Sequence, residues 1–312
     1  MFVVCGEALW DLFGQEGEAG LSFDARIGGS PFNVAVGLAR LGQPSALFTG
    51  LSRDRLGERL HAALTAEGVV TDLLVRSQRA TTLSIVDVGP DGGPAYAFYG
   101  EGAADRAIEV GDLPDLDAAV WGVHAGSYSL AVEPVGSALL ALFEREAGRR
   151  LLTLDPNVRL NVEPDVAHWR QRVERFVGQA DVVKVSDEDL ALLYPEDAAI
   201  AVAERWRKLG ARLVVVTQGA EGAEALTAKG RVVVPGREVE VVDTVGAGDA
   251  FQAALIAALA QQGIKTPASL DDLSADTLGR ILEVAVGASA LACARRGADL
   301  PRTNDLLQQA PR

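Results

Sequence analysis

Short apolar runs and amphipathic stretches take turns along this chain. Phe2 to Cys5, Ser45 to Gly50, Val120 to His124, Leu151 to Leu154, Asp181 to Val185 and Leu213 to Thr217 are runs of four to six mainly apolar residues. They lack the strict polar alternation of a half-wet strand and predict strands covered on both faces, as in a parallel sheet. Between them, Phe32 to Leu41, Leu56 to Glu67, Val135 to Ala147, Ile200 to Leu209 and Leu278 to Ala294 carry apolar residues at helical spacing. Gly68 and Gly210 end two of these helices, and Leu282, Val286 and Ala290 mark the buried stripe of the last. The rhythm predicts an α/β sandwich of about seven or more βα units around a mostly parallel central sheet.

Other segments follow a different pattern. LSFDARI alternates like an exposed strand, and Thr81 to Val88 and Ala95 to Tyr99 are strand-like runs joined by GPDGG, a hairpin turn. Gly14 to Gly20, with three glycines and two acids, predicts a loop. Val69 to Val75, Val232 to Val234 and Glu238 to Val242 are further predicted strands.

The chemistry concentrates in EVEVVDTVGAGDAFQAALIAALAQQG, Glu238 to Gly263, where a β-rich run passes through a glycine turn into a helix without a linker. Such a turn aims the N–H groups of Gly246, Ala247 and Gly248 out of the helix start, where the dipole favours an anion. Asp249 in the same first turn is placed to accept a proton from a hydroxyl held beside that anion, an arrangement suited to phosphoryl transfer. Glycine turns and first-turn aspartates are also ordinary structural choices. A dinucleotide fingerprint fits less well, because Phe251 stands where the third glycine of G-x-G-x-x-G is needed for close packing. No Walker A pattern and no G-x-S-x-G elbow occur.

DTVGAGDAF resembles the C-terminal signature of the PfkB carbohydrate kinases, and GGSPFNVAVGLARLG, Gly28 to Gly42, resembles the N-terminal glycine-pair signature of the same family. The resemblance extends over nearly the whole chain and implies one ribokinase-like α/β/α domain over 1–312, with a small β-sheet lid from segments about 8–27 and 80–105. It implies Asp249 as base, an anion hole of Gly246, Ala247 and Gly248, and sugar contacts from Asp11, Gly28, Gly29 and Asn33. DPNVR resembles the family's DxNxR, whose Arg159 can fork onto phosphate or a carboxylate. Lys184, Thr217, Gly219 and Gly222 match positions that neighbour the nucleotide. Ser186 and Asp189 align with N-x-x-E, though neither is the usual residue, so an indirect, water-mediated role toward magnesium is expected. FYGEGAADR resembles the fructokinase branch and sets Phe98 and Tyr99 over a sugar face, although many relatives carry Arg at the place of Gly100. CARRGADLP resembles the terminal segment near the adenine and a potassium site. The implied partners are a small sugar and ATP with Mg2+, and the implied assembly a homodimer formed through the lid.

Composition has globular values, and the net charge favours solubility. The chain has 312 residues, 48% hydrophobic and 23% charged, and a net charge of -14. That charge argues against nucleic acid or anionic membrane as partner, while leaving room for a local basic pocket. Cys5 and Cys293 are too few for a disulfide framework, MFVVCGE lacks a signal-peptide pattern, and no apolar run reaches ~18 residues. A cytoplasmic location is expected. His124, between a strand and a loop, is expected to be structural. Fructose is the expected acceptor, with 2-keto-3-deoxygluconate the nearest rival. A non-catalytic sugar or nucleotide sensor and a dinucleotide oxidoreductase are the readings from other classes.

Overall fold

The computed structural model of the chain describes residues 1–17, 20–88 and 94–308. Its strands in chain order are β1 (Phe2–Cys5), β2 (Leu9–Gly17), β3 (Gly20–Gly28), β4 (Ser45–Phe48), β5 (Gly50–Ser52), β6 (Val75–Ser77) and β7 (Leu83–Val88). Next come β8 (Pro94–Tyr99), β9 (Gly122–Gly126), β10 (Leu151–Asp155), β11 (Val182–Ser186), β12 (Leu213–Thr217), β13 (Gly222–Thr227) and β14 (Gly230–Pro235). The helices are α1 (Ser30–Arg40), α2 (Arg55–Ala66), α3 (Val135–Glu146), α4 (Val166–Val177) and α5 (Asp187–Leu193). They continue with α6 (Ala199–Leu209), α7 (Ala247–Gln261), α8 (Pro267–Asp271), α9 (Ala275–Cys293) and α10 (Thr303–Gln308).

Eight strands form the central sheet in the order β14-β13-β12-β11-β10-β9-β1-β4, parallel from β12 to β4 and antiparallel at β13 and β14. Strand side chains alternate between two cores. Phe2 and Val4 join Leu255, Ile256 and Leu282 on the face covered by α1, α2 and α7 to α9, whereas Val3 and Cys5 join Phe143, Trp169 and Trp206 on the face of α3 to α6. The chain runs from β1 outward to β4 and later returns to β9 on the other side, so the strand order reverses at β1. The carboxyl ends beside such a reversal are where open α/β sheets bind ligands.

A second sheet, β3-β2-β7-β8, stands apart from the first. The hairpin β2/β3 pairs with β7 in parallel, Trp10 opposite Leu83 and Phe13 opposite Val86. The predicted loop at Gly14 to Gly20 is thus largely strand, because Gly14 faces Phe23 and Gly17 faces Gly20 across a ladder that composition alone does not reveal. The GPDGG turn lies outside the described residues.

Two other expectations are corrected. Glu238 to Val242 is not a strand: it pairs with no strand among the described residues, Val241 and Val242 are exposed, and the amides of Val242 and Asp243 donate to the Cys293 carbonyl at 2.9 and 3.2 Å. Val69 to Val75 contributes only a bridge from Val70 to Ala46 before β6 begins at Val75, since Leu74 N–H turns back to Thr71. No helix of the described residues is long and apolar enough to cross a membrane.

Candidate active site

Helix α7 starts at the carboxyl edge of the sheet and is buried from Asp249 through Ala260. Its N-cap, Gly246, has φ 80° and ψ 0°, left-handed backbone natural to glycine. A Cβ there would also lie 2.8 Å from Ala298 Cβ. Asp243 braces the turn, accepting from Val245 N–H at 3.1 Å and Gly297 N–H at 2.8 Å. The Ala247 amide donates to Thr244 O at 3.2 Å. Gly246, Gly248 and Asp249 have no backbone acceptor among the described residues, so the donors free at this helix start differ by one from the expected trio.

Helix α1 brings the second signature against this turn. It packs closely on α7 at Gly37, where a Cβ would lie 2.7 Å from Ala253 Cβ. The packing seats Asp249 between two α1 side chains: Ser30 Oγ donates to Asp249 Oδ1 at 2.6 Å, and Asn33 Nδ2 donates to Oδ2 at 2.8 Å. Gly29, the α1 N-cap at φ 102°, passes so near the backbone that a Cβ would stand 2.7 Å from Glu7 O. Gly28 makes room for Asp11, whose Oδ2 would lie 2.0 Å from a Cβ at that position. Burial pushes the Asp11 carboxyl up to about 6, with Arg159 opposing and Asp249 adding to the shift.

These groups line one cleft of about 1480 Å³, large enough for a nucleotide and a hexose together. Asp11, Gly29, Asn33, Arg159, Lys184, Ser186, Asp189, Thr217, Gly219, Gly222 and the Gly246–Asp249 turn all reach it. Tyr99 does not. It is 62% exposed, and its neighbour Phe98 lines the cleft instead, because successive side chains of β8 point to opposite faces. Gly222 owes its identity to packing as well as position, since a Cβ would meet Val234 O at 2.2 Å.

Ser186 caps α5 by accepting from Asp189 N–H at 3.0 Å, and Asp189 Oδ1 accepts from Val158 N–H at 2.9 Å. One oxygen of Asp189 is therefore committed to the loop that carries Arg159. No three His, Cys, Asp or Glu side chains cluster to hold a metal directly among the described residues.

Three cleft residues escaped the sequence reading. Ser30 sits inside the glycine-pair signature but reads as part of its turn. Glu7 follows β1, is fully buried, and accepts from Ser129 Oγ at 2.5 Å; burial pushes it up to about 7 against the pull of the Ser129 and Ser127 hydroxyls. Tyr128 donates to Asp105 Oδ2 at 2.7 Å and packs edge-on against Phe98 at 5.9 Å. It follows Ser127, a non-glycine residue at φ 58°, a backbone feature that the sequence does not display.

The pfkB family carbohydrate kinase pattern matches residues 1–305. The chain belongs to this family of carbohydrate kinases. A fructokinase of Rhizobium leguminosarum bv. trifolii is 41% identical over 278 residues, covering 87% of this chain and 84% of that protein. The structure of a fructokinase with bound ATP from Xylella fastidiosa superposes with a TM-score of 0.90 at 30% identity, covering 98% of this chain and 97% of the other. A fructokinase double mutant from Vibrio cholerae O395, with fructose, ADP and potassium bound, gives 0.85 at 29% identity, covering 98% and 97%. The fold is the ribokinase-like sandwich shared by pfkB kinases, a mostly parallel sheet between helical layers with a small separate sheet.

Proposed function

We propose that this pfkB kinase is an ATP-dependent fructokinase, moving the γ-phosphoryl group of ATP to the primary hydroxyl of fructose to give fructose 6-phosphate and ADP. The observation that carries the reading is the position of Asp249. It is the junction of a glycine-lined sugar pocket, reached through Asn33 and Ser30, and a helix start that favours phosphate.

In this reading Asp11, Asn33 and the backbone at Gly28 and Gly29 orient the sugar. Asp249 takes the proton of the primary hydroxyl as its oxygen bonds to the γ-phosphorus, and the bond to the ADP oxygen breaks in line. The free amides at the start of α7 and the Lys184 ammonium stabilise charge on the transferring group. Thr217, Gly219 and Gly222 border the nucleotide, and Val241, Val286 and Cys293 form the apolar part of the cleft that suits the adenine. Magnesium bound with ATP supplies charge neutralisation between the phosphates, and Ser186 and Asp189 would act on it through water. Potassium, bound to the Vibrio cholerae relative, is expected near the loop that Asp243 braces. The small sheet serves as a lid on a single kinase domain, keeping water from the phosphoryl group.

Fructose is favoured over an acidic sugar on electrostatic grounds. The sugar end presents Glu7, Asp11 and Asp249 against Arg159, a set suited to hydroxyl donors and ill suited to a second carboxylate. The relatives named fructokinase support the same choice. The test is ADP release with ATP and magnesium against fructose, glucose, ribose, adenosine and 2-keto-3-deoxygluconate, with and without potassium. Fructose should give the highest kcat/KM. Turnover confined to the keto acid would move the acceptor and assign Arg159 to its carboxylate, and no turnover with any of them would favour a sensor.

A further inference from the structure

Under the first turn of α7 the sheet becomes polar. His124 of β9, Thr153 and Asp155 of β10 and Lys184 of β11 are buried on the α7 side, while their neighbours Val123, Leu154, Val183 and Val185 join the opposite core. His124 Nδ1 lies 3.0 Å from Thr153 Oγ1 and 3.4 Å from Gln252 Nε2, one turn along α7 from Asp249. Lys184 Nζ donates to Asp155 Oδ2 at 2.8 Å, and the two side chains are only 5% and 1% exposed. A Cβ on Gly248 would stand 3.1 Å from that same Nζ, so the ammonium lies directly against the backbone of the helix start.

A buried ion pair adds little net stability, because desolvation offsets most of the attraction. This one also sits among competing charges: Asp189 and Asp249 act on the same lysine. Burial pulls the Lys184 ammonium down and the three carboxylates outweigh it, leaving it above its ordinary value. His124 is held neutral, pushed down to about 3 by burial and by Lys184, and so does not compete for Asp155.

We propose that Asp155 is a positioning residue for phosphoryl transfer: its Oδ2 fixes the Lys184 ammonium against Gly248, where it adds a full positive charge to the helix start that receives the transferring group. This rests on the reading of that helix start as the phosphate cradle. Asp155 thereby acts through Lys184, with its second carboxylate oxygen at the wall of the same cleft. Gly248 is glycine partly to admit the ammonium. Without Asp155, Asp189 and Asp249 draw the lysine away and burden the base with a neighbour it does not otherwise pair with.

The test compares Asp155→Asn, Lys184→Met and the double variant in the full chain. The measurements are steady-state kinetics, calorimetric binding of ATP without magnesium, fructose binding and Tm. Each single change should lower kcat by about ten- to a hundredfold and weaken magnesium-free ATP binding, with fructose affinity unchanged within about twofold. The double variant should be no slower than Lys184→Met, since the two residues act as one unit. Wild-type kcat in Asp155→Asn, multiplying losses in the double variant, or a parallel loss of fructose affinity would each overturn the proposal. If Lys184→Met keeps full turnover while Asp249→Asn does not, the cradle stands and the role of the ion pair falls. If Asp155→Asn fails to fold, Gly248→Ala displaces the ammonium with the pair intact: reduced kcat at an undiminished Tm is expected, and wild-type kcat overturns the inference.

Discussion

Ser30 Oγ donates to Asp249 Oδ1 at 2.6 Å, and the two residues belong to helices that meet only through tertiary packing. With Asn33 on the other oxygen, the carboxylate is fixed in plane and direction before it acts. Replacing Asp249 by Asn keeps the shape and removes the proton acceptor, so kcat should fall by at least ~10²-fold while ATP affinity survives. Ser30→Ala should lower kcat less, by about tenfold, with Tm nearly unchanged. Steady-state kinetics together with calorimetric ATP binding checks both.

Asp11 gives the sugar pocket its own pH dependence. Burial holds its carboxyl at about 6, so on acidification it takes a proton and ceases to be a pure acceptor. Fructose binding measured without nucleotide should weaken by about tenfold per pH unit below 6 and level off above it. Asp11→Asn should bind weakly at every pH and lose this dependence.

Glu7 reports on stability. Its folded value of about 7 lies above its ordinary 4.5, so the folded chain holds the proton more tightly. That contribution is fully present below about 4.5 and is lost as pH rises through about 7. Tm should therefore fall between pH 5 and pH 8 more steeply in the natural chain than in Glu7→Gln, as scanning calorimetry over that window would show.

The contact between α1 and α7 leaves no space at Gly37. A Cβ would meet Leu300 Cδ2 at 2.6 Å and Ala253 Cβ at 2.7 Å. Gly37→Ala should cost about 1–3 kcal/mol by overpacking, despite the better helix propensity of alanine. Urea unfolding measures this, and a stabilised variant would show that the helices separate without penalty.

Much of this was legible in the chain. The apolar runs of the parallel strands need no partner information, because being covered on both faces imposes one composition, and glycine at positions 28, 29 and 246 marks backbone that a side chain would block. What depends on pairing was not legible. The Gly14 to Gly20 segment has loop composition, and Gly14 to Gly17 form strand because β3 supplies their ladder. Glu238 to Val242 has strand composition, and the amides of Val242 and Asp243 are taken by the Cys293 carbonyl instead of a ladder. Tyr99 and Phe98 are adjacent and equally aromatic, and only the orientation of β8 decides which faces the cleft. Ser30 and Glu7 matter through a residue brought from elsewhere in the fold, so each reads locally as turn or strand end.

The small sheet has a mechanical consequence. It is not a flap on one stalk, because the chain passes between it and the main body at four places: before Leu9, after Gly28, before Leu83 and after Tyr99. Four connections tie such a platform to the body more firmly than a single stalk would. Asp11 rides on it, and Gly28 joins it straight to α1, which carries Ser30 and Asn33. In the proposed reading, a tilt that drew Asp11 onto a sugar would therefore pull on the same helix that aims Asp249, so gripping the acceptor and aligning the base would become a single movement.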